Sequence, residues 1–445
     1  MGAMARVWCS SYLRCLAVLA GVSLLSAPPA AAQQRDAAAK RKIDRKLRES
    51  LREGRRTQRV IITMKPGCRA SMRSALEEHG DAINGEHALI DALSAEAHSE
   101  DVEELANNAC VQAVAADADV RADGARNRSG GLRKTSGINP VSQTLLARLA
   151  PKPPPNVLRE TLGLPSVAAW GTMTGATGIG VALEFTIANR YRLNARIDNV
   201  SLGHEIFAPA QDDPLVQAVE KATDAGLIVV VSAGNNGLQK KNSEAGYTDI
   251  TSPGNAPSAI TVGAAMTADT VLRDDDGVAP YSSKGPTWFD AFAKPDVVAP
   301  GHRLASNASL TSYLYKNLPG NQGKSHNGQP VLLLSGSSMA TGVTSGVVAL
   351  VLQQHNQNGL HRQKALTANL VKAMLQFSAV PVADADYLTQ GTGEINAAGA
   401  IALAKVIDTS QPVGEWWLST GIAPSSVIGN QTYAWSQEVI WVTTC

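Results

Sequence analysis

From residue 157 onward, short apolar runs alternate with helix-patterned stretches, and this alternation constrains the fold more than any other feature of the chain. "GIGVAL" (178–183) reads as a short buried strand and "EFTIANRYRLN" as a helix. "ARIDNVSLG" reads as a strand, "DPLVQAVEKATDAG" as a helix, and "LIVVVSAGNNG" and "SAITVGAA" as further strands. Strands joined through helices pair in parallel and are covered on both faces, so they lose the polar alternation of a half-exposed strand. The expectation is an α/β domain over residues 157–406, built on a largely parallel sheet flanked by helices. Near its end, "VLLLSGSSMATGVTSG" (331–346) runs an apolar strand through a Gly-Ser-Ser turn into "GVTSGVVALVLQQ", an almost wholly apolar helix expected to be buried. That geometry presents Ser338 at a helix start. A serine hydroxyl is a weak nucleophile unless a neighbouring base takes its proton.

The segments before this domain differ in kind. Arg6 and Arg14 flank "CLAVLAGVSLLSA", which ends in "PPAAA". This reads as a secretory signal peptide over residues 1–32, too short in its apolar run to span a bilayer comfortably. The expected location is therefore secreted, extracellular or periplasmic, with no membrane partner. Residues 33–56 are dense in Lys, Arg and Glu and read as a solvated helix or linker. "RVIITMK", "HALIDALSA" and "CVQAVAADADV" read as strands, separated by the helices "SMRSALEEHG" and "SEDVEELANN". Residues 57–122 thus form a small α+β unit. Residues 123–156 have no period and end in a "PKPPP" linker. Residues 407–445 hold four of the seven Trp in a tail without clear period. A net charge of +1 gives no pointer to nucleic acid. Beyond the signal segment three cysteines remain. A Cys68–Cys110 disulfide is possible, and their spacing is not that of a metal site.

Several motifs together resemble the subtilisin-like serine peptidases, the subtilases. "SGSSMATG" resembles the nucleophile motif and implies that role for Ser338. "VVVSAGNNG" resembles the oxyanion motif and implies that role for Asn235, with Ser232, Ala233 and Gly234 lining the substrate cleft. "NVSLG" resembles the strand that pairs with substrate, implying Ser201, Leu202 and Gly203. "YSSKGP", "KPDVVAPG" and "GTGEINAAGA" match further signatures of the family. The resemblance implies a subtilisin-like parallel sheet preceded by a ferredoxin-like propeptide that acts as intramolecular inhibitor and folding chaperone. It also implies a protein or peptide substrate, and endopeptidase cleavage through an acyl-enzyme. No cofactor is implied. Calcium is common in the family, but no ligand cluster is readable here. A helix N-terminus and the Asn235 amide would together stabilise an oxyanion.

The family also uses an aspartate after its first core strand and a histidine within Gly-His-Gly-Thr-His, and neither motif is present. "GIGVAL" runs straight into "EFTIANR", and only 55 positions separate Gly180 from Asn235. Two more strands with their crossovers need on the order of 60 residues. The expectation is an internal loss between Leu183 and Glu184 that trims one edge of the sheet, leaves "GIGVAL" as the new edge strand, and leaves the chain inactive. Asp198, His204 and Ser338 keep the order of a triad. Asp198 and His204, however, lie on one strand and its exit, up to about 20 Å apart if extended. Glu184, near the expected aspartate position, starts a helix. Asp198 itself replaces an apolar residue in a strand expected to be buried. Two readings stand beside an active peptidase: a pseudo-protease that binds peptides without cutting them, and a damaged copy of an active gene.

Overall fold

The computed structural model describes residues 39–122, 176–238, 246–358, 364–412 and 414–440. The signal segment, the linker over 123–156 and the start of the α/β domain lie outside them.

The amino-terminal unit begins with helix α1 (Arg45–Arg52), followed by β1 (Thr57–Met64), α2 (Arg69–His79), β2 (Ala82–His87), β3 (Ala92–His98), α3 (Val102–Asn107) and β4 (Val111–Ala116), with the short β5 (Arg121–Ala122) after it. Strands β1 to β4 form an antiparallel sheet in the order β2-β3-β1-β4, a ferredoxin-like arrangement. "HALIDALSA" is not one strand. A 3₁₀ turn at Ala88–Ile90 and a left-handed Asp91 (φ 47°) split it into the end of β2 and the start of β3. Asp is among the residues that tolerate this conformation. The charged stretch before β1 is not a solvated linker either. Ala39, Ile43 and Leu47 are buried in the same core as Val60, Ile62 and Leu93. They recur every four residues, so one apolar stripe faces the sheet while Lys and Arg face water. Cys68 and Cys110 are joined by a disulfide.

The second unit carries α4 (Ala176–Leu193), β6 (Ile197–Val200), β7 (Leu202–Glu205), α5 (Pro214–Asp224), β8 (Ile228–Ser232), β9 (Thr251–Ser252), β10 (Ile260–Met266), β11 (Gly277–Val278) and β12 (Val297–Pro300). After a small antiparallel sheet of β13 (Leu304–Asn307), β14 (Gln322–Lys324) and β15 (Pro330–Leu334) come α6 (Ser337–Asn356), α7 (Ala368–Ser378) and α8 (Ala397–Val406). Strands β6, β8, β10 and β12 run parallel, in register from Ile197↔Ile228 through Ile260↔Val230 to Val262↔Val297. The parallel α/β sheet is therefore as the alternation predicts. Its β8 is buried at every residue.

Two expectations need correcting. "GIGVAL" is not a strand: it forms the first half of α4, and the edge of the sheet beyond β8 is β6. No Gly or Pro lies between Val181 and Leu193. The helix signal of "ALEFTIAN" therefore propagates back through the apolar run, where a strand would have required a turn. Helix α6 is also not buried all round. Ala340, Val347, Val348 and Val351 enter the main core, while Gly342, Gly346 and Ala349 are exposed. The carboxy-terminal stretch packs rather than trails. A hairpin of β16 (Ser425–Ile428) and β17 (Gln431–Ala434) delivers Trp435 into that core, where its indole N–H donates to Ser426 Oγ at 2.8 Å.

Candidate active site

The strand–turn–helix from β15 to α6 sets Ser338 in place. Gly336 precedes the helix, and Ser337 and Ser338 are its first residues. Ser338 is almost buried, and its Oγ donates to the Ser201 main-chain oxygen at 3.1 Å. The Ser201 hydroxyl approaches Asn199 Oδ1 at 2.6 Å and the Ser338 main-chain oxygen at 3.2 Å. Asn235 lies across the helix start, where its Oδ1 accepts from the Ser337 amide at 2.9 Å. One face of the Asn235 side chain thus satisfies an N–H that helix geometry leaves without an intrahelical partner.

The loop after β8 is held from several sides. The Gly234 amide donates to Ser337 Oγ at 3.2 Å, and the Gly234 oxygen accepts from the Ser283 amide at 3.0 Å. Gly234 sits at φ 110°, and a Cβ there would meet Ser283 Oγ at 2.6 Å, so only glycine fits. The Ala233 oxygen accepts from the Thr251 amide at 3.0 Å, and the Ala233 amide donates to Val262 at 2.9 Å. Ser232 closes β8 and is fully buried. Strand β7 carries Leu202 and Gly203 between two partners. Thr251 and Ser252 of β9 pair with Glu205 and His204 on one side, and Arg121 and Ala122 of β5 pair antiparallel with Gly203 and Leu202 on the other. The expected nucleophile, oxyanion asparagine and cleft strand thus converge on the start of α6.

The triad candidates do not converge in the same way. His204 Nδ1 lies 2.7 Å from the Glu205 main-chain oxygen, and its ring stacks on Phe207. Asp198 is on β6, and one of its carboxylate oxygens is buried without a hydrogen-bond partner. Burial pushes its carboxyl up to about 6. Glu184 reaches the amino-terminal unit instead, where its Oε1 accepts from the Leu89 amide at 3.0 Å. Sequence reasoning passed over Ser337, Thr251 and Arg121–Ala122. Ser337 lies within the nucleophile motif, but its hydroxyl accepts from the Gly234 amide. Thr251 belongs to no quoted motif, and Arg121–Ala122 lies about 80 positions from its partner strand.

The comparisons agree with this geometry. Residues 168–400 match the subtilase family. The chain is 38% identical over 207 residues to the serine protease AprX of Bacillus subtilis, covering 46% of this chain and 42% of that protein. It is 31% identical over 254 residues to pyrolysin of Pyrococcus furiosus, covering 50% of this chain and 16% of that one. Among solved structures, fervidolysin from Fervidobacterium pennivorans, described as a keratinolytic enzyme related to subtilisin, superposes with a TM-score of 0.53 at 15% identity. That likeness covers 78% of this chain and 61% of that one, and it bears on the fold. A parallel α/β sheet with Ser338 at the head of a core helix, beside the Asn235 loop, fits a subtilisin-like peptidase fold. The chain belongs to the subtilase family. It spans less than half the length of the curated relatives named here.

Proposed function

We propose that this chain is a subtilisin-like endopeptidase homologue that holds protein or peptide segments along Ser201–Gly203 and cleaves them very poorly. The observation that carries this reading is the Ser338 hydroxyl, which donates to the Ser201 carbonyl. A carbonyl oxygen accepts a hydrogen bond but lacks the basicity to remove the proton, so Ser338 stays a neutral alcohol. The Ser338 amide and Asn235 would still favour an oxyanion. In a subtilisin stripped of its triad such contacts alone leave on the order of 10³–10⁴ over water. This reading includes an internal loss between Leu183 and Glu184, inferred from the missing aspartate and histidine motifs of the family.

The test is peptide hydrolysis by the purified chain beside Ser338→Ala and His204→Ala. Negligible turnover, unchanged in both variants, is expected. Robust turnover abolished in both would make His204 the base and overturn the reading.

Within this reading residues 57–122 act as an intramolecular inhibitor, because Arg121 and Ala122 pair with the strand that would take substrate. The same reading takes residues 1–32 as a signal for secretion, residues 157–406 as the peptidase unit, and peptides or proteins as partners. The junction at Leu183 and Glu184 also favours a second reading, a damaged copy of an active gene. Re-sequencing the encoding DNA separates the two: a restored aspartate strand and histidine helix at that point would establish the damaged copy.

A further inference from the structure

The amino-terminal unit gathers two histidines and two aspartates at one end of its sheet, far in sequence from the cleft motifs. His79 is the last residue of α2. Gly80 turns the chain through a left-handed conformation, and Asp81 follows. His98 is the last residue of β3, and Asp101 precedes α3 without capping it. Spread from position 79 to position 101 with no regular spacing, these residues give no sequence signal of a common site.

Asp81 organises them. Its side chain is 2% exposed. Its Oδ1 accepts from the His98 amide at 3.1 Å and lies 2.8 Å from His98 Nδ1. Its Oδ2 lies 3.4 Å from His79 Nδ1. The hydrogen bond to the Asp81 carboxylate keeps the His98 proton on Nδ1 and leaves a lone pair on its Nε2, while His79 Nδ1 faces the second carboxylate oxygen. Asp101 Oδ2 lies 3.7 Å from His79 Nε2 and is buried without a hydrogen-bond partner. One ligand atom from each of His79, His98 and Asp101 lies within 4.8 Å of the others.

We propose that His79, His98 and Asp101 bind a divalent transition-metal ion of the zinc class, with Asp81 as the positioning residue behind both imidazoles. Two imidazoles and one carboxylate are zinc-type donors, whereas calcium and magnesium prefer all-oxygen shells. Bonds of about 2.0–2.2 Å in tetrahedral geometry set ligand atoms roughly 3.4 Å apart, so closing the site takes a movement of about 1 Å. The side chains of His79 and His98 are half exposed and free to make it. Solvent fills the remaining coordination position. The ion ties the end of α2 to the end of β3 and the start of α3, and so stiffens the unit whose following strand pairs with Gly203. This assignment does not depend on whether Ser338 is active.

The experiment uses the full chain, stripped with a chelator and with its free thiols alkylated, titrated with zinc chloride by calorimetry near neutral pH. One zinc per chain at micromolar affinity, an upward shift of the unfolding midpoint, and no response to calcium are expected. Asp101→Ala and His98→Gln should each weaken binding at least tenfold, and Asp81→Asn by about 10- to 100-fold, with unchanged circular dichroism. Binding no tighter than millimolar, or binding of equal strength in Asp101→Ala, overturns the proposal. If His98→Gln does not fold, Asp101→Ala still decides, because Asp101 makes no capping bond that its loss would break.

Discussion

Ser338 and Ser201 hold each other through their main chains: the Ser338 hydroxyl donates to the Ser201 oxygen at 3.1 Å, and the Ser201 hydroxyl lies 3.2 Å from the Ser338 oxygen. The first bond is made by the hydroxyl that the proposed reading takes as the nucleophile. Removing it by Ser338→Ala takes away one hydrogen bond to a carbonyl, a change of about 1 kcal/mol. Denaturant unfolding should show that small loss with an unchanged m-value. A loss several times larger would mean that the hydroxyl has a structural task beyond this bond.

Asn235 should matter more for stability than Ser338. Its Oδ1 accepts the Ser337 amide, one of the four N–H groups that a helix start leaves unpaired. Asn235→Leu keeps the volume and removes the acceptor. A loss of about 1–3 kcal/mol in unfolding free energy is expected, the cost of a polar group buried without a partner. Unaltered stability would show that water or another group replaces the acceptor.

Much of this arrangement is legible in the sequence because it is local. The turn before α6 and the asparagine loop after β8 each sit in one short segment whose residue types dictate its shape, whereas "NVSLG", read as part of one strand, divides at Ser201 between β6 and β7. The parallel sheet is legible from apolar runs separated by helices. What is not legible depends on competition or distance. "GIGVAL" is apolar enough for a strand, but with no breaker after it the following helix claims it. Ala39, Ile43 and Leu47 hide a core-facing stripe among cations, and composition alone reads that segment as solvated. The pairing of Arg121 with Gly203 and the gathering of His79, His98 and Asp101 are products of tertiary placement.

Asp198 should make stability pH-dependent. Its carboxyl is raised from 3.8 to about 6 by burial, so the folded chain binds this proton more tightly than the unfolded one. The contribution is fully present below about 4 and is lost as pH rises through about 6. Asp198→Val removes the buried carboxylate. The variant should match the parent near pH 4 and exceed it above pH 6, by at most roughly 3 kcal/mol. Unfolding curves across that range check the sign. A variant less stable than the parent above pH 6 would mean that the Asp198 charge is compensated.

The amino-terminal unit should stay attached in the product. In the proposed reading this unit is a propeptide released by self-cleavage, and the proposed lack of a base removes that chemistry. Intact mass measurement of protein made without added protease should find residues 57–122 still joined to the α/β unit. A chain starting near residue 125 would contradict the proposed inactivity.

Gly203 sets the fit of β7 against β9. A Cβ at this position would meet the Ser252 oxygen at 2.6 Å and Thr251 Oγ1 at 2.8 Å. Backbone cannot retreat as a side chain can, so Gly203→Ala must push β7 from β9. Overpacking of this kind costs typically about 1–3 kcal/mol. Faster amide exchange in residues 202–205 and 251–252, with the ferredoxin-like sheet unaffected, is the expected signature. Unchanged protection there would show that the strands separate without loss.

The most severe single substitution should lie away from the cleft, at Asp296. Two lysines, Lys294 and Lys372, are buried within the α/β unit, and both point at this carboxylate: Lys294 Nζ is 2.8 Å from Oδ2 and Lys372 Nζ is 3.0 Å from Oδ1. Each ammonium also donates to the Ala259 oxygen at 3.0 Å. Asp296 Oδ2 accepts from the Thr261 amide at 2.7 Å, so the cluster joins β10, β12 and α7. Burial, and then repulsion by Lys372, pull Lys294 down to about 7 against the attraction of Asp296. Asp296→Ala leaves two buried lysines without the carboxylate, so that they lose a proton or stay charged without a partner, and breaking a buried pair in this way costs about 3–5 kcal/mol. Lys294→Met removes one of the competing cations and retains the Lys372–Asp296 pair, so it should cost clearly less. Chemical unfolding of the two variants side by side measures the difference. Equal losses would mean that Asp296 acts through its bond to Thr261 rather than through the charge it shares between the lysines.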